Sequence, residues 1–447
     1  MSSVARRALL ADLVSTAVFP LAITGSTAVV PIVGAELHAP AGLAVWVVLA
    51  YNTVFAATLL GAGRFADRTN RARFFLAGNL LVAVTGIASA LATTTESLIA
   101  LRAIAGLGAA MCAAGGSSMI LAAFQPAHRP RVYRYSGVVL GASLAVGPLL
   151  SQVLVGTLGW RAVFAVPAVL ALVAAAASIR LPDWPHDTER VDSAGVLTFA
   201  GLVAAGCVIL GLIGTAPPAT LIMSAAATAL VGVSFVRKEV RADSPALPLD
   251  LLVIPEFRWY ATASGAFMGC LVSALALLPL LAVGQTSPAL ITTCLVLVTA
   301  APAILPLLIA SLTRRAPRKV VSFCLLVCGV ASVLTAFAAV PSPFSQVAVI
   351  LAALCLGVSL GASQGIPDGQ GLAKVPATRG GAGAGLFSTT RMTIETLVLA
   401  ATTGLAAAVG VGAGALVSGV ICALVLLSTP LTSRGDASSH GDVEGSS

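Results

Sequence analysis

The chain has 447 residues, of which 58% are hydrophobic and only 9% are charged, and its mean hydropathy is +1.01. A water-soluble globular protein carries far more charge, so this composition excludes that class and predicts a protein of the lipid bilayer. The formal net charge of +8 comes largely from arginines in short polar segments. We therefore interpret it as a sign of membrane topology and expect no nucleic-acid binding.

A membrane-spanning helix needs about 20 mostly apolar residues, and the chain contains fourteen apolar runs near this length. Their near-continuous apolarity favours helices over the alternating strands of a β-barrel. The sequence therefore predicts an all-α polytopic membrane protein with 14 transmembrane helices. The runs are centred on residues 10–31, 41–61, 74–93, 97–122, 135–157, 162–180, 195–214, 218–236, 259–283, 289–312, 320–340, 345–366, 382–406 and 411–430.

Basic residues set the predicted orientation, because lysine and arginine are retained on the cytoplasmic side of short loops. With the N-terminus inside, the outer loops hold only Arg161, while the basic clusters fall in cytoplasmic segments. We expect a multi-pass protein of the cell inner (plasma) membrane with both termini in the cytoplasm. We expect it to be a monomer.

The loop between the second and third runs, Gly63 to Phe74, surrounds a single carboxylate with arginines. The carboxylate is Asp67, and the arginines are Arg64, Arg68, Arg71 and Arg73. Such a cluster can form and break ion pairs as helices move, so it is a candidate conformational switch. The alternative is a solvated loop that only sets topology.

Polar and aromatic side chains within apolar runs are the candidates for substrate contact. The set comprises Thr24, Ser26, Thr27, Trp46, Tyr51, Asn52, Gln152, Ser388, Thr389 and Thr390. Hydrogen bonds between helices, or places in the aromatic belts of the interface, explain most of them equally well. With so few charges, the expected cavity is largely apolar, which favours a lipophilic or zwitterionic small molecule.

The fourth and fifth runs carry one arginine and a series of small residues. Arg102 lies near the outer end of the fourth run, where it either reaches the interface or serves a function. Gly141 and Gly147 belong to small-residue series that let helices approach closely. Pro148 removes a backbone hydrogen bond and should bend the fifth helix, so that the bend shapes a cavity wall.

Two polar stretches, 180–192 and 237–250, bracket the seventh and eighth runs. The chain thus divides into six helices, a two-helix insert and six more helices, a plan found where membrane proteins contain repeated halves. The predicted units are an N-terminal six-helix bundle at 1–184, a linker with the insert at 185–250, a C-terminal six-helix bundle at 251–432, and a disordered cytoplasmic tail at 433–447.

Ionisable side chains at membrane depth are functional candidates, because burying a charge there is costly. Glu395 lies halfway along the thirteenth run, one turn after Arg391, a spacing that lets the two pair. We expect either a neutralised pair that fixes packing or, as the sharper hypothesis, a carboxyl group that exchanges a proton. Asp12 is expected in the first turn of a helix, where the helix dipole favours an acid. Asp368, beside Pro367, marks a helix end or break.

The eight cysteines lie singly within apolar runs, so we expect packing residues, with neither a disulfide framework nor a metal site. The four histidines fall in predicted loops or in the tail, and no nucleophile with a base appears within a run. No lysine directly follows a glycine as a Walker loop requires. The sequence therefore predicts no enzyme, no catalytic residue and no cofactor.

Several segments together resemble the signatures of one family. They are residues 63–73 (similar to a G-x-L-a-D-R-x-G-R-R/K loop), 101–108 (R-x-x-x-G-x-G), 137–152 (a fifth-helix antiporter pattern), 160–164 (W-R-x-x-F), 248–252 (P-L-x-D-L with one residue missing), and Thr389 with Arg391 (T-x-R). The chain resembles the major facilitator superfamily, and within it the fourteen-helix drug:proton antiporter branch.

The resemblance implies two six-helix bundles with a two-helix insert, and export of small organic compounds by proton antiport through alternating access. It assigns the switch to the loop of Asp67 and part of the proton coupling to Arg102. The branch usually has an acid in the first helix, where this chain has Ala22. The implied partners are a small-molecule substrate, protons and the bilayer. An importer or symporter of a small metabolite is the alternative, and a membrane enzyme or sensor is a third class.

Overall fold

The computed structural model describes residues 3–40, 42–125, 128–182, 184, 192–241, 247–282, 288–308, 316–375 and 380–430. These residues form α-helices with one 3₁₀ turn, Leu249–Val253, and contain no β-strand. The helices are α1 Ser3–Glu36, α2 Trp46–Arg68, α3 Arg71–Ala90, α4 Thr95–Ala123, α5 Arg129–Leu158, α6 Ala162–Ser178, α7 Ser193–Gly211, α8 Pro218–Arg241, α9 Pro255–Ala282, α10 Pro288–Leu308, α11 Pro317–Ala338, α12 Ser345–Ser363, α13 Ile366–Leu372, α14 Gly380–Val409 and α15 Val411–Leu427. The predicted disordered tail, 433–447, lies outside the described residues.

Side-chain caps explain where three helices begin. Oxygens of Asn70, Thr94 and Asp192 accept hydrogen bonds from backbone N–H groups three residues ahead, at the starts of α3, α4 and α7. These bonds satisfy N–H groups that lack a partner within the helix.

The N–H of Gly195 holds the pKa of Asp192 below its ordinary value. Asp192 also lies 3.6 Å from the Nζ of Lys238 in the last turn of α8, so this ion pair joins the two ends of the α7–α8 hairpin.

The chain is a polytopic membrane protein. Ten spans among the described residues are long and apolar enough to cross a bilayer, one of them joining α12 and α13, and α5 makes eleven when its two parts count together. α6 and α15 are apolar but have only 17 residues each, and within α10 the stretch Thr293–Pro302 is apolar. The predicted count of 14 spans is therefore not confirmed by length and apolarity.

α5 is bent by 43° between Tyr135–Leu144 and Val146–Leu158. Pro148 explains the position of the bend, because a proline ring clashes with the carbonyl group four residues earlier, which is that of Leu144. The predicted bend is thus confirmed. Leu140 and Leu144, on the first part of the helix, line a central cavity.

Helix contacts divide the described chain into two groups with the same internal arrangement. Within α1–α6 the packed pairs include α1–α5, α1–α6, α2–α4, α3–α4 and α3–α6. Within α9–α15 the corresponding pairs are α9–α14, α9–α15, α10–α12, α11–α12 and α11–α15. α7 and α8 stand outside this correspondence. The structure therefore contains a repeat that the sequence barely indicates, since the loop at 312–319 has no acid to match Asp67.

The two groups meet where α2 packs against α14, α5 against α10 and α1 against α9. The two helices of the insert, α7 and α8, differ in position: α7 lies at this interface and α8 at the periphery. α7 packs against both α2 and α14, whereas α8 packs mainly on α7 and buries little more than Phe235 and Glu239. One helix of the predicted linker hairpin thus belongs to the interface between the groups.

Candidate functional site

A central cavity of about 270 Å³ lies where the two groups of helices meet. Its wall is mainly apolar and aromatic, with contributions from both groups that include Phe19, Ile23, Phe55, Phe267, Met268 and Leu271. Three acids and one arginine interrupt this apolar wall: Asp12, Asp368, Glu395 and Arg391. A concave, mostly apolar surface with a few placed polar groups is the usual form of a small-molecule site.

Arg391 of α14 forms an ion pair with Asp368 of α13, with 3.1 Å between Nη1 and Oδ1. The other carboxylate oxygen accepts a hydrogen bond from Ser264 of α9 at 3.3 Å. The sequence predicted Glu395 as the partner of Arg391, and the structure places Asp368 there instead. Gly365, with a left-handed φ of 74°, ends α12 and redirects the chain, which brings the acid of the short α13 to the side of α14.

Glu395 also lines the cavity and is only 4% exposed. Its Oε2 has no hydrogen-bond partner within the described part of the chain, and neither has the Nε of Arg391 one turn earlier. Buried polar atoms in native proteins are usually satisfied, so each exception calls for a functional or structural explanation. A carboxyl group at membrane depth is a functional candidate by default.

Asp12 is the acid that α1 contributes to the cavity. It is 9% exposed, and its Oδ2 accepts a hydrogen bond from Ser136 of α5 at 3.1 Å. Its other oxygen lies against Gly116 of α4, where an added Cβ would be 2.5 Å away. The sequence placed Asp12 in the first turn of a helix, but α1 begins at Ser3 and has no acid in its first turn. The helix-dipole explanation is therefore wrong.

Arg102 of α4 is buried, with 4% of the residue exposed. Its Nε donates to the carbonyl of Val47 at 3.1 Å, and its Nη2 donates to the carbonyl of Ala22 at 3.2 Å and to the hydroxyl of Ser26 at 3.3 Å. The guanidinium carbon lies 4.2 Å from the ring centre of Tyr51. Because the Arg102 side chain is buried within the protein, the structure excludes the alternative in which it reaches the membrane–water interface. Ala22, where the resembled branch has an acid, supplies a backbone oxygen.

The segment predicted as the first cytoplasmic loop is mostly helical. α2 continues to Arg68 and α3 begins at Arg71, so Gly63 and Asp67 lie within α2 and the turn is only residues 69–70. The Oδ1 of Asp67 accepts a hydrogen bond from the Oγ of Ser118 in α4 at 2.8 Å. A hydroxyl group, not an arginine, is its partner in the described residues. The exposed ionisable side chains of this segment include Asp67, Arg68 and Arg73.

Of the ten side chains predicted as candidates for substrate contact, only Tyr51 lines the cavity. Thr27 and Asn52 donate hydrogen bonds to carbonyl groups of their own helices at 2.8 and 3.0 Å. Three more lie elsewhere: Trp46 beside α7, Gln152 exposed on α5, and Thr389 buried in α14. Polar side chains within apolar helices thus mostly form hydrogen bonds with backbone carbonyl groups of their own helix.

The two glycines predicted to allow close packing of α5 differ in their surroundings. Gly147 lies directly on α1, where an added Cβ would collide with the side chain of Thr24. Gly141 has open space where a Cβ would stand. Close approach of α5 to α1 therefore depends on Gly147, next to the proline that bends the helix.

Three cysteines that lie singly in separate apolar runs of the sequence come together among α9, α11 and α15. The sulfur atoms of Cys270, Cys328 and Cys422 are all within 4.8 Å of one another and the three residues are buried. The sulfurs of Cys270 and Cys422 are 3.4 Å apart. The sequence gives no sign of this cluster, because distance along the sequence does not indicate neighbours on packed helices.

The sequence missed two kinds of cavity residue. Phe267, Met268 and Leu271 of α9 are apolar residues within an apolar run, so nothing distinguished them before the helices were packed. Asp12 and Asp368 carried a signal, since acids are rare beside the apolar runs of this chain. That signal was assigned to helix ends instead of to the cavity.

Two similar groups of membrane helices surround a central, partly charged cavity in a polytopic membrane protein. The family described as Major Facilitator Superfamily matches residues 13–395, and the chain belongs to that family. Members of this family are transporters, which separates the chain from the enzymes.

The curated relatives include proteins named for resistance and export. The chain is 30% identical over 231 residues to the tetracenomycin C resistance and export protein of Streptomyces glaucescens, covering 49% of this chain and 42% of that protein. It is 34% identical over 245 residues to a cephamycin export protein of Amycolatopsis lactamdurans, covering 52% and 50%. The chain thus spans about half the length, or less, of these relatives.

A solved structure supports the fold alone. A POT family transporter in complex with a thioalcohol-conjugated peptide superimposes with a TM-score of 0.71 at 11% identity. The superposition covers 94% of this chain and 95% of that one. At this identity the likeness concerns helix arrangement and carries no information on substrate.

Proposed function

We propose that this protein exports small organic compounds, such as drugs, antibiotics or secondary metabolites, by proton antiport through alternating access. The observation that carries the proposal is the buried carboxyl group of Glu395, which lines the cavity beside the Arg391–Asp368 ion pair. The names of the matched relatives, which include resistance and export proteins, support the outward direction.

The proposal places the chain in the fourteen-helix drug:proton antiporter branch. α6, α10 and α15 then complete fourteen spans together with the eleven of sufficient length. Residues 1–184 and 251–432 are the two moving units, 185–250 carries the insert, and 433–447 is a cytoplasmic tail. The distribution of basic residues puts both termini in the cytoplasm. We expect a monomer in the plasma membrane.

The aromatic part of the cavity supplies a surface for an apolar compound. The rings of Phe19 and Phe55 have centroids 4.9 Å apart, and that of Tyr51 lies 6.4 and 6.3 Å from them. A lipophilic compound that displaces water from these rings gains about 25 cal/mol for each Å² of apolar surface buried. The acids then favour compounds that also carry a basic or dipolar group.

Glu395 carries the proton in the proposed cycle. While Glu395 is protonated, Arg391 has one charged partner, Asp368. Loss of the proton leaves two carboxylates within reach of one guanidinium and changes the charge of the cavity wall by one unit. A substrate that interacts differently with these two states shifts the equilibrium between them, as coupling requires.

Asp67 is the proposed conformational switch. Its hydrogen bond to Ser118 joins α2 to α4 within one group of helices, at the end of the bundle to which the cavity extends through Asp12 and Ile120. We propose that Asp67 exchanges this hydroxyl for a partner on the opposite group when that end closes. Gly63, Arg68, Arg71 and Arg73 complete the segment.

The test uses purified protein in proteoliposomes. A growth screen of an efflux-deficient bacterial host first identifies a compound whose toxicity the wild-type protein lowers. In liposomes, an imposed proton gradient should drive that compound against the proton flow, and a protonophore should stop it. Movement with the protons would indicate a symporter, and movement independent of the gradient would exclude proton coupling.

The same assay with Glu395→Gln tests the assigned residue. The variant should lose gradient-driven transport, while Gln152→Asn, a change on the exposed face of α5, should not. Unchanged coupling in Glu395→Gln would remove this residue from the mechanism.

A further inference from the structure

The three buried cysteines of α9, α11 and α15 take no part in the proposed transport cycle. We propose that Cys270, Cys328 and Cys422 form a binding site for one soft d10 metal ion, of the class of Cd²⁺ and Zn²⁺. The inference goes beyond transport and does not depend on the substrate or on proton coupling.

The geometry suits such an ion. Metal–sulfur bonds of about 2.3 Å place three sulfurs around one ion about 4 Å from one another. The three sulfur atoms lie within 4.8 Å of one another, and those of Cys270 and Cys422 are 3.4 Å apart. Small rotations of the side chains about their Cα–Cβ bonds therefore suffice to enclose an ion, without moving a helix.

The frame that holds the sulfurs is already assembled. α9, α11 and α15 contact one another in all three pairings. Ser359 of α12 donates its hydroxyl hydrogen to the carbonyl of Cys324 at 2.6 Å, and its oxygen lies 3.1 Å from the sulfur of Cys328. The hydroxyl oxygen is thus an acceptor for the Cys328 thiol. Neighbours of this kind orient metal ligands before the ion arrives.

Charge balance favours a divalent ion with soft-ligand chemistry. Binding converts two thiols to thiolates, M²⁺ + 2 RSH giving M(SR)₂ + 2 H⁺, and the third sulfur completes the site as a neutral thiol. The resulting complex carries no net charge, which matters because an uncompensated charge inside a membrane protein is expensive. Hard ions such as Mg²⁺ prefer oxygen ligands and should not bind.

The experiment uses full-length protein in lipid nanodiscs, reduced and freed of reductant, titrated with Cd²⁺. The starting variant replaces the five other cysteines, Cys112, Cys207, Cys294, Cys324 and Cys355, with alanine. We expect one Cd²⁺ per chain, a sulfur-to-cadmium charge-transfer band in the ultraviolet, and release of two protons. Mg²⁺ in place of Cd²⁺ should give none of these signals.

Single changes on this background assign the ligands. Cys270→Ser and Cys422→Ser should each weaken Cd²⁺ binding at least about a hundredfold, since even outer-shell changes at metal sites cost 10- to 100-fold. Binding below one ion per chain in the starting variant, or unchanged binding after replacement of all three cysteines, would overturn the proposal. The cysteines would then be packing residues alone.

A protection assay on the wild-type chain covers the case in which a variant fails to fold. Cd²⁺ should slow alkylation of Cys270, Cys328 and Cys422 by a membrane-permeant maleimide, measured by peptide mass spectrometry, and a chelator should reverse this. Cys207, buried elsewhere, is the internal control. Equal alkylation rates with and without Cd²⁺ at the three positions would contradict the site.

Discussion

Arg102 and Arg391, one in each group of helices, have partners of opposite kinds. Arg102 is held by the carbonyl groups of Val47 and Ala22, a hydroxyl group and an aromatic ring. Arg391 is held by a carboxylate, with the carboxyl group of Glu395 one turn away. A cation with fixed neutral partners has no alternative ion pair, whereas a cation between two acids has one. The comparison favours Arg391 over Arg102 for proton coupling.

The largest expected effect is that of Glu395→Gln. The amide keeps the shape of the side chain but cannot release a proton, so gradient-driven transport should fall to the level of empty liposomes. Exchange of substrate across the membrane without a gradient should persist, because the cavity is otherwise intact. Counterflow and gradient-driven uptake measured on one preparation separate the two. Loss of both would indicate a binding or folding defect instead.

Arg102→Met should mainly reduce stability. It removes a charged donor from buried carbonyl oxygens, a loss of roughly 2 kcal/mol by the worth of hydrogen bonds to charged groups. We expect a lower unfolding temperature in detergent, with Arg102→Lys intermediate. If Arg102→Met remains as stable as the wild type yet loses proton coupling, the distinction between the two arginines is wrong.

Changes at the Asp67 contact should have a smaller effect on turnover. Ser118→Ala removes one hydrogen bond worth about 1 kcal/mol, which shifts an equilibrium between two conformations roughly fivefold. Asp67→Asn removes the charge in every conformation and should slow transport more than Ser118→Ala does. Initial rates at equal protein density give the ranking. Normal turnover in Asp67→Asn would leave the segment a topological role only.

The smallest effect is expected at an exposed acid, Glu36, which receives hydrogen bonds from Arg161 and Trp160 at 2.7 and 2.8 Å. The bond from Arg161, then that from Trp160, hold the pKa of Glu36 below its ordinary value. A lowered pKa stabilises the folded protein above the unfolded pKa, and this contribution is lost as pH falls through the folded value. Glu36→Gln should therefore lower the unfolding temperature slightly at neutral pH and hardly at all in acid. Full transport activity in this variant provides the matched control for Glu395→Gln.

Composition and run length were sufficient to predict a helical membrane protein, because burial in lipid constrains every residue of a span. Composition could not predict where a helix ends beyond its apolar run, or which side chains of different helices come into contact. An apolar run marks the part of a helix in the bilayer, and α1 continues beyond it to Ser3, which changed the interpretation of Asp12. The spacing rule for helices relates Arg391 to Glu395 but cannot include Asp368, which reaches the same place from another helix.

The position of α7 bears on the route by which the proposed lipophilic substrate would reach the central cavity from the bilayer. This helix packs against both α2 and α14, along the line where the two helices meet, so it would obstruct sideways passage from the lipid on that flank. At the opposite flank, where α5 meets α10, the described residues of α7 and α8 make no comparable contact with either helix, and Leu140 and Leu144 of α5 line the central cavity. We expect hydrophobic compounds to enter from one flank of the molecule only, so that bulky substitutions along α5 would slow their uptake from the membrane.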